Sequence, residues 1–549
     1  MPLTLLVYIG RELLKLLALS TAALTVLISV AFMVQPMSEG SLDVLSTARL
    51  VVYLMPPMLP YALLIGATLA GTLVYHRLAQ DNELTACAMS GMSYRTLLLP
   101  GLVLGLALTL GLFYFSNWIV PGFWQRVEQL VKRDAARLFV DRLNTEGVVR
   151  FRSVMVYADA AWIQPAPDRR DTPATLEQRI VLDRVAVAKF DERSGALEFD
   201  VTGRRAVADL HRYRGRTYAQ VKVSDASLMD AGTGALIRVD EHTLPPQRVP
   251  SLFEQKPKFL SLSRLREVVR RPELDPQVHE RADALRVAMA ELRAVDWLHG
   301  RLLRSGDEPI ELAGPEGRLH TLSAPMTQPA GRKLRLLSEP GQPIRVRIGP
   351  RPAPWQTLEA GGGMLEAALD HADAEPRVLI ELRDVSVSGQ NLPRQTRKRE
   401  LTLPRLSLPE RHAAPLRALG PRPLIREAGR VDDGRIASLG RRLADRIAAL
   451  QHEILLTANE RAAGAVSLVM MMLLGGLMAM ANRGKQPLVI FFWSFLPAIV
   501  AMFLIAGARN LIQAGAFGLG PWFNAAAVWA GNVLLLALIL TTYLKLARH

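Results

Sequence analysis

Six apolar runs of membrane-crossing length set the frame into which the rest of the sequence must fit. They occupy 13–34, 50–75 and 96–120, then 462–481, 487–508 and 523–544. About 20 mainly apolar residues of helix cross a bilayer's hydrocarbon core, and each run reaches that length. Half of the residues are hydrophobic, but they are concentrated in these two end regions, and the middle has ordinary soluble composition. The expectation is an α-helical membrane protein with a 3+3 arrangement of spans and one large insertion between the third and fourth.

The first run follows Arg11 and holds Lys15 near its start, as a signal peptide's charged lead-in would. It is too long for that, and no small-residue cleavage pattern follows it, so it reads as a span. Orientation comes from the short loops. With the N-terminus in the cytoplasm, the inner ends carry Arg11, Lys15, Arg77, Arg95, Arg483, Lys485, Lys545 and Arg548. The outer loops carry Arg49 and Arg509, with Glu39 and Asp43 opposing them. That bias places 77–95 inside and 121–461 outside.

The formal net charge is +15. No nucleic-acid-binding motif accompanies it, and basic charge beside membrane spans more naturally meets anionic lipid. No nucleic-acid partner is therefore expected. Cys87 is the one cysteine, so no intramolecular disulfide forms and the insertion must rely on its own core.

Within the insertion, 149–158 and 179–190 alternate as strands do, 191–195 reads as a turn, and 196–201, 206–213 and 217–223 continue the pattern. Residues 261–303 switch to helical spacing through Leu265, Val268, Val269, Ala282, Leu285, Ala288 and Leu292. A second β-rich patch occupies 309–348, and 377–389 and 399–409 read as further strands. Pro350 to Pro354 and Gly361 to Gly363 read as linkers.

The chain lacks a phosphate-binding G-x-x-x-x-G-K-[ST] loop, an H-E-x-x-H pair and a G-x-S-x-G elbow. "HADAE" at His371 is a lone histidine beside carboxylates and makes no metal site. The spans hold few acids or bases, so an ion-coupled relay has little support. No catalytic residue, metal site or cofactor is expected in this chain.

The short polar island "RLAQDNELTACAMSGMSYR", 77–95, remains. Asp81 can cap a short helix, and Leu84, Cys87 and Ala88 share one face of it. Gly91 can end it in the left-handed conformation, and Ser93 can cap the next span. Helix, tight turn and helix leave little slack, so the piece would transmit a push.

"RLAQDNELTACAMSG" resembles the cytoplasmic loop of the LptF/LptG permease family (YjgP/YjgQ-type), the membrane subunits of the lipopolysaccharide exporter. "MPPMLPYALLIGATLAGTL" (55–73), "NWIVPGFWQRVEQLVKRD" (117–134) and "GPWFNAAAVWAGNVLLLALILTTYL" (520–544) are similar to that family's second span, third-span exit and sixth span. The stretch of about 300–375 exceeds the family's usual length.

The resemblance implies six transmembrane helices with a large periplasmic β-jellyroll-like domain between helices 3 and 4, in the bacterial inner membrane with both termini cytoplasmic. Residues 1–120 would hold the first three spans and a coupling helix at about 79–91. Residues 121–250 would begin the jellyroll, and 251–305 would be a helical segment. An extra β-rich insertion would fill 306–375, further strands and a linker 376–440, and the last spans 441–549.

It also implies partners: a cytoplasmic ABC ATPase dimer that binds ATP and Mg, a second LptF/LptG-like permease, periplasmic LptC/LptA-like β-bridge proteins, and lipopolysaccharide or a related lipid. Glu83 matches the acidic coupling residue, with Asp81, Leu84, Ala88 and Gly91 completing the coupling helix and Leu84 and Ala88 as its apolar contacts to the ATPase. By position alone, Arg49, Arg126, Lys132, Arg133 and Arg509 are candidates for lipid phosphate. The rival reading is an ABC-type mechanotransmission or scaffold subunit that moves no lipid.

Overall fold

In the computed structural model, the described residues are 3–38, 44–151, 154–164, 175–190, 197–213, 216–230, 236–243, 247–248, 256–304, 309–314, 318–331, 333–349, 355–369, 375–389, 396–482, 484–513 and 521–548. They divide into two compact units: residues 1–269 with 451–549, and residues 270–450.

The first unit opens with helices α1 (Leu3–Ser38), α2 (Val44–Gln80), α3 (Glu83–Met89) and α4 (Tyr94–Tyr114). A π-helical turn, Phe115–Ile119, then leads without a break into α5 (Val120–Glu146). Strands β1 (Val148–Phe151), β2 (Val154–Gln164), β3 (Thr175–Phe190), β4 (Leu197–Tyr213), β5 (Arg216–Asp230), β6 (Leu236–Thr243) and β7 (Gln247–Arg248) follow, and then α6 (Leu262–Arg270).

Among the described residues, six helices are long and apolar enough to cross a membrane: Thr4–Ala31, Val51–Gln80, Tyr94–Trp124, Gly434–Ala481, Pro487–Ile505 and Ala530–Ala547. Three precede the β-rich region in the chain and three follow it. The first begins well before residue 13, because the helix continues through Tyr8, Arg11 and Glu12. The last begins at Ala530 rather than 523. A turn breaks it there, with the Trp529 N–H donating to the Ala526 carbonyl and the indole Nε1–H to Asn459 Oδ1 at 3.0 Å.

Close helix packing explains the glycines. A Cβ at Gly475 would stand 2.6 Å from the Thr68 carbonyl oxygen, and one at Gly476 2.7 Å from the Tyr75 ring. Gly71 lies against the Met472 carbonyl with no room for a Cβ. Small residues let the backbones approach where no hydrophobic gradient drives helix association. Elsewhere in the bundle Thr72 of the second span and Ser494 of the fifth share a hydrogen bond of 3.0 Å, and Ser467 of the fourth donates to Asn532 Oδ1 of the sixth at 2.6 Å.

The first sheet runs β1-β2-β3-β4-β5-β6 in order, all antiparallel, with β7 on β5. This is a consecutive meander. The Greek-key crossing that would make a jellyroll is absent among the described strands.

A crease takes its place. Ladder pairing lapses along one row across the sheet, through Asp159, Arg184, Arg204, Asp225 and Asp240. Arg184 and Asp225 have φ of 47° and 52°, so strands of 15 to 17 residues are re-aimed at mid-length. The row is solvent-exposed, and Arg184 pairs with Asp159 at 2.6 Å. Ala136, Val140 and Leu143 of α5 complete the sheet's core with Ile180, Val201 and Val223.

The second unit contains α7 (Pro276–Arg304), strands β8 (Ile310–Ala313), β9 (Leu319–Ser323), β10 (Met326–Ala330), β11 (Lys333–Leu337), β12 (Ile344–Ile348), β13 (Gln356–Leu369), β14 (Pro376–Gly389) and β15 (Thr396–Ser407), and helices α8 (Ala414–Arg417) and α9 (Pro421–Ala428). The chain then enters α10 (Gly434–Ala481), whose residues from 451 on belong to the first unit. Helices α11 (Pro487–Gln513), α12 (Pro521–Ala527) and α13 (Ala530–Ala547) end the chain.

Strands β13-β12-β9-β8-β15-β14 close into a ring, because β14 pairs back onto β13. Its core takes Leu298 from α7 with Leu322, Val346, Leu365 and Ile380.

Two expectations change in this unit. The boundary drawn between 375 and 376 falls inside the β13–β14 hairpin, so 306–375 and the following strands form one sheet. Gly361 to Gly363 are not a linker. They lie within β13, where a Cβ at Gly363 would stand 3.1 Å from both the Glu381 carbonyl oxygen and Leu382. Residues 191–195, 350–354 and His371 lie outside the described residues.

Candidate functional site: the loop between α2 and α4

The loop is built with no slack. As α2 ends, the Asp81 N–H still donates to the Arg77 carbonyl at 2.9 Å. Asn82 then takes φ of 60°, a conformation asparagine tolerates, and its carbonyl accepts from the Ala86 N–H at 3.0 Å to open α3. Asp81 therefore precedes the cap position, and Asn82 occupies it.

Gly91, at φ 83°, ends α3. The Met92 N–H returns to the Cys87 carbonyl at 3.1 Å, the six-to-one bond of a Schellman motif. Ser93 Oγ accepts from the Thr96 N–H at 3.4 Å and caps α4.

Leu84 is 1% exposed, packed with Ile9, Leu13, Leu78, Leu97 and Ile490. This corrects the expectation that Leu84 meets a partner: the shared face of Leu84 and Cys87 points into the chain's own helices. The spacing fixed which residues share a face but not where the face would look. Ala88 lies in α3, and its side chain is outside the described residues. The outward face carries Thr85, Ala86 and Met89, with Met89 80% exposed.

Glu83 sits at the margin of that face. Tyr8 Oη donates to Glu83 Oε1 at 3.4 Å, and Arg77 Nη2 donates to Tyr8 Oη at 3.5 Å. Arg77 Nη1 is 3.3 Å from Glu12 Oε2, and Lys15 Nζ is 2.8 Å from Glu12 Oε1. The acidic residue of α3 is thus linked to α1 through a chain of alternating donors and acceptors. On the other side, Arg95 Nε donates to Tyr543 Oη at 2.8 Å, joining α4 to α13. Exposed pairs of this kind hold orientation more than they add stability.

Of the lipid-phosphate candidates, Arg126 is exposed, its guanidinium 5.1 Å from the Phe123 ring centre. Arg49 lies in α2, Lys132 and Arg133 in α5, and Arg509 in α11. Their side chains are outside the described residues, so the structure assembles no headgroup site from the five.

No group of three metal-binding side chains occurs among the described residues.

Sequence reasoning missed Tyr8 and Met89. Tyr8 stands before the first apolar run as counted, and Met89 was lost among the small apolar residues of the loop. It also missed Arg461 of α10, which donates to Asn117 of the π turn. A lone basic residue at the start of an apolar run and a lone asparagine inside one were the available signals.

Residues 7–148, α1 through the start of β1, match the family described as lipopolysaccharide export system permease LptF/LptG. None of the curated proteins matches the chain.

Proposed function

From the match of residues 7–148 to the LptF/LptG permease family, we propose that the chain is a permease subunit of an ABC transporter. It extracts lipopolysaccharide, or a similar lipid, from the outer leaflet of the bacterial inner membrane. A separate ATPase dimer binds ATP and Mg and supplies the work. The chain itself is non-catalytic.

The family match carries this reading, and the loop geometry supports it. A short helix held rigidly between α2 and α4 offers an outward face with Glu83 at its margin and Met89 at its centre. Closure of the ATPase dimer pushes α3, and α2 and α4 follow. A second LptF/LptG-like permease encloses the lipid path with this chain. The first sheet faces the periplasm and adds partner strands from LptC/LptA-like bridge proteins at an edge.

The test is Glu83→Ala. It is expected to lose the ATPase from the complex purified in mild detergent and to abolish lipid release in reconstituted vesicles. Retention of both removes Glu83 from the mechanism. Labelling that located residue 83 on the same side of the membrane as the sheets would overturn the orientation.

One observation favours the rival reading, a subunit that drives other machinery without moving lipid. Residues 270–450 form a separate β-rich unit beyond the matched region. Lipid co-purifying with the complex decides for transport.

A further inference from the structure

We infer that Arg461 is the pin of a joint that ties the π turn of the third span to the fourth span and to the segment leaving the first sheet. The joint stands on its own geometry; its use as a force path rests on the transport reading above.

The helix from Tyr94 to Glu146 is continuous. Its first part is the apolar third span, and its last turns contribute Ala136, Val140 and Leu143 to the core of the first sheet. The π turn, Phe115–Ile119, interrupts its regular bonding. Such turns recur where a helix must do something besides span.

Asn117 is 1% exposed inside this turn. Its Nδ2 donates to the Phe113 carbonyl at 2.7 Å, and its Oδ1 accepts from Arg461 Nη1 at 3.3 Å. The other terminal nitrogen of Arg461 donates to the carbonyls of Lys258, at 2.9 Å, and Leu260, at 2.8 Å. These carbonyls belong to a turn that the Phe259 and Leu260 N–H groups close onto Lys256 and Pro257. The Phe259 ring packs on Trp124 of α5, with ring centres 5.1 Å apart.

One guanidinium on α10 therefore holds a buried side chain of the third span and two main-chain acceptors beyond the sheet. A planar fork can satisfy three acceptors in fixed directions; an ammonium is a point charge that cannot reproduce that geometry. The third span cannot slide past the fourth at this level without breaking the charge-assisted bond from Arg461 to Asn117. A displacement entering at α3 then reaches the sheet with the two helices moving together.

Hydrogen exchange on the full chain in phosphatidylcholine nanodiscs tests the joint without ATPase or lipopolysaccharide. Arg461→Ala should speed exchange roughly tenfold or more in 257–261 and 115–119, with β3 and β4 unchanged as the folding control. Arg461→Lys should fall between Arg461→Ala and the unsubstituted chain. Asn117→Leu should affect 115–119 and spare 257–261.

If Arg461→Ala matches the unsubstituted chain in both segments, the joint does not exist. If Arg461→Ala also loosens β3 and β4, Asn117→Leu decides, and an unchanged 115–119 segment overturns the proposal. Phosphatidylglycerol in the nanodiscs is the last arm. Unchanged protection in 257–261 supports the pin, while a rise comparable to that of Arg461→Ala would show that Arg461 leaves the carbonyls for lipid phosphate. Failure on any arm leaves the transport reading to its own Glu83 test.

Discussion

Tyr8 and Glu83 stand 75 positions apart in the chain, and the phenol of one donates to the carboxylate of the other over 3.4 Å. Glu83 is therefore partly claimed by α1 before any partner arrives. Tyr8→Phe removes that claim at an exposed site, where such bonds add about 1 kcal/mol or less. The expected outcome is unchanged thermal unfolding and ATPase affinity that is equal or a few-fold higher, read by titrating the ATPase onto the complex in nanodiscs. A tenfold loss of affinity would mean that Tyr8 presents Glu83 rather than restrains it.

Leu84 and Met89 should separate stability from docking. Leu84→Ala opens a cavity among Ile9, Leu13, Leu78 and Leu97 and should cost about 2–5 kcal/mol, visible as earlier thermal unfolding. Met89→Ala, at a side chain 80% exposed, should leave unfolding alone and weaken ATPase binding several-fold. The opposite pattern would turn the assigned faces of α3 around.

Gly71 is the tightest test of helix packing. Its missing Cβ would collide with the Met472 carbonyl, and main chain cannot swing aside as a side chain can. Gly71→Val should cost about 3 kcal/mol or more by overpacking, with loss of folded yield in detergent. Gly10, which has open space around it, is the control, and Gly10→Ala should be tolerated.

A pH dependence follows from His412. The residue is 9% exposed, its ring 5.7 Å from Trp297, and its Nε2 has no hydrogen-bond partner among the described residues. Burial lowers its pKa. Arg293 acts in the same direction, while Glu410 and Glu375 oppose it. The unfolded chain then binds the proton more readily, so the 270–450 unit loses stability as pH falls below about 6.5 toward the lowered value. His412→Phe should flatten that dependence in melting curves recorded between about pH 7 and 5. An unchanged slope would assign the acid sensitivity elsewhere.

The sequence made the elements of the first unit legible wherever the cause is local. Apolar length announced the spans, Gly91 and Ser93 announced how α3 stops and α4 starts, and alternation announced β3, whereas 149–158, read as one strand, is divided between β1 and β2, which pair antiparallel. It failed where the cause lies at a distance. Leu84 and Cys87 share a helix face by spacing, but only Ile9 and Leu97 show that it turns inward.

Three consecutive glycines read as a linker from 361 to 363. They belong to a strand because Glu381 and Leu382 on its neighbour leave no room for a side chain. The crease at Arg184 and Asp225 was invisible for a similar reason. Strands 196–201 and 206–213 read as two where β4 is one, and the crease crosses β4 at Arg204, between them. Arg461 meets Asn117 across 344 positions, and nothing in either neighbourhood names the other.

The meander order of the first sheet bears on when it can be made. From β2 to β6 each strand pairs with the one synthesised just before it, β7 returns to β5, and the core partners Ala136, Val140 and Leu143 come earlier still. Every described contact in that core is in hand once residue 248 has emerged. Sequential hairpins of low sequence separation form early and quickly. The sheet can thus be complete while the final three spans are still unmade, and those helices would enter the membrane beside a finished scaffold.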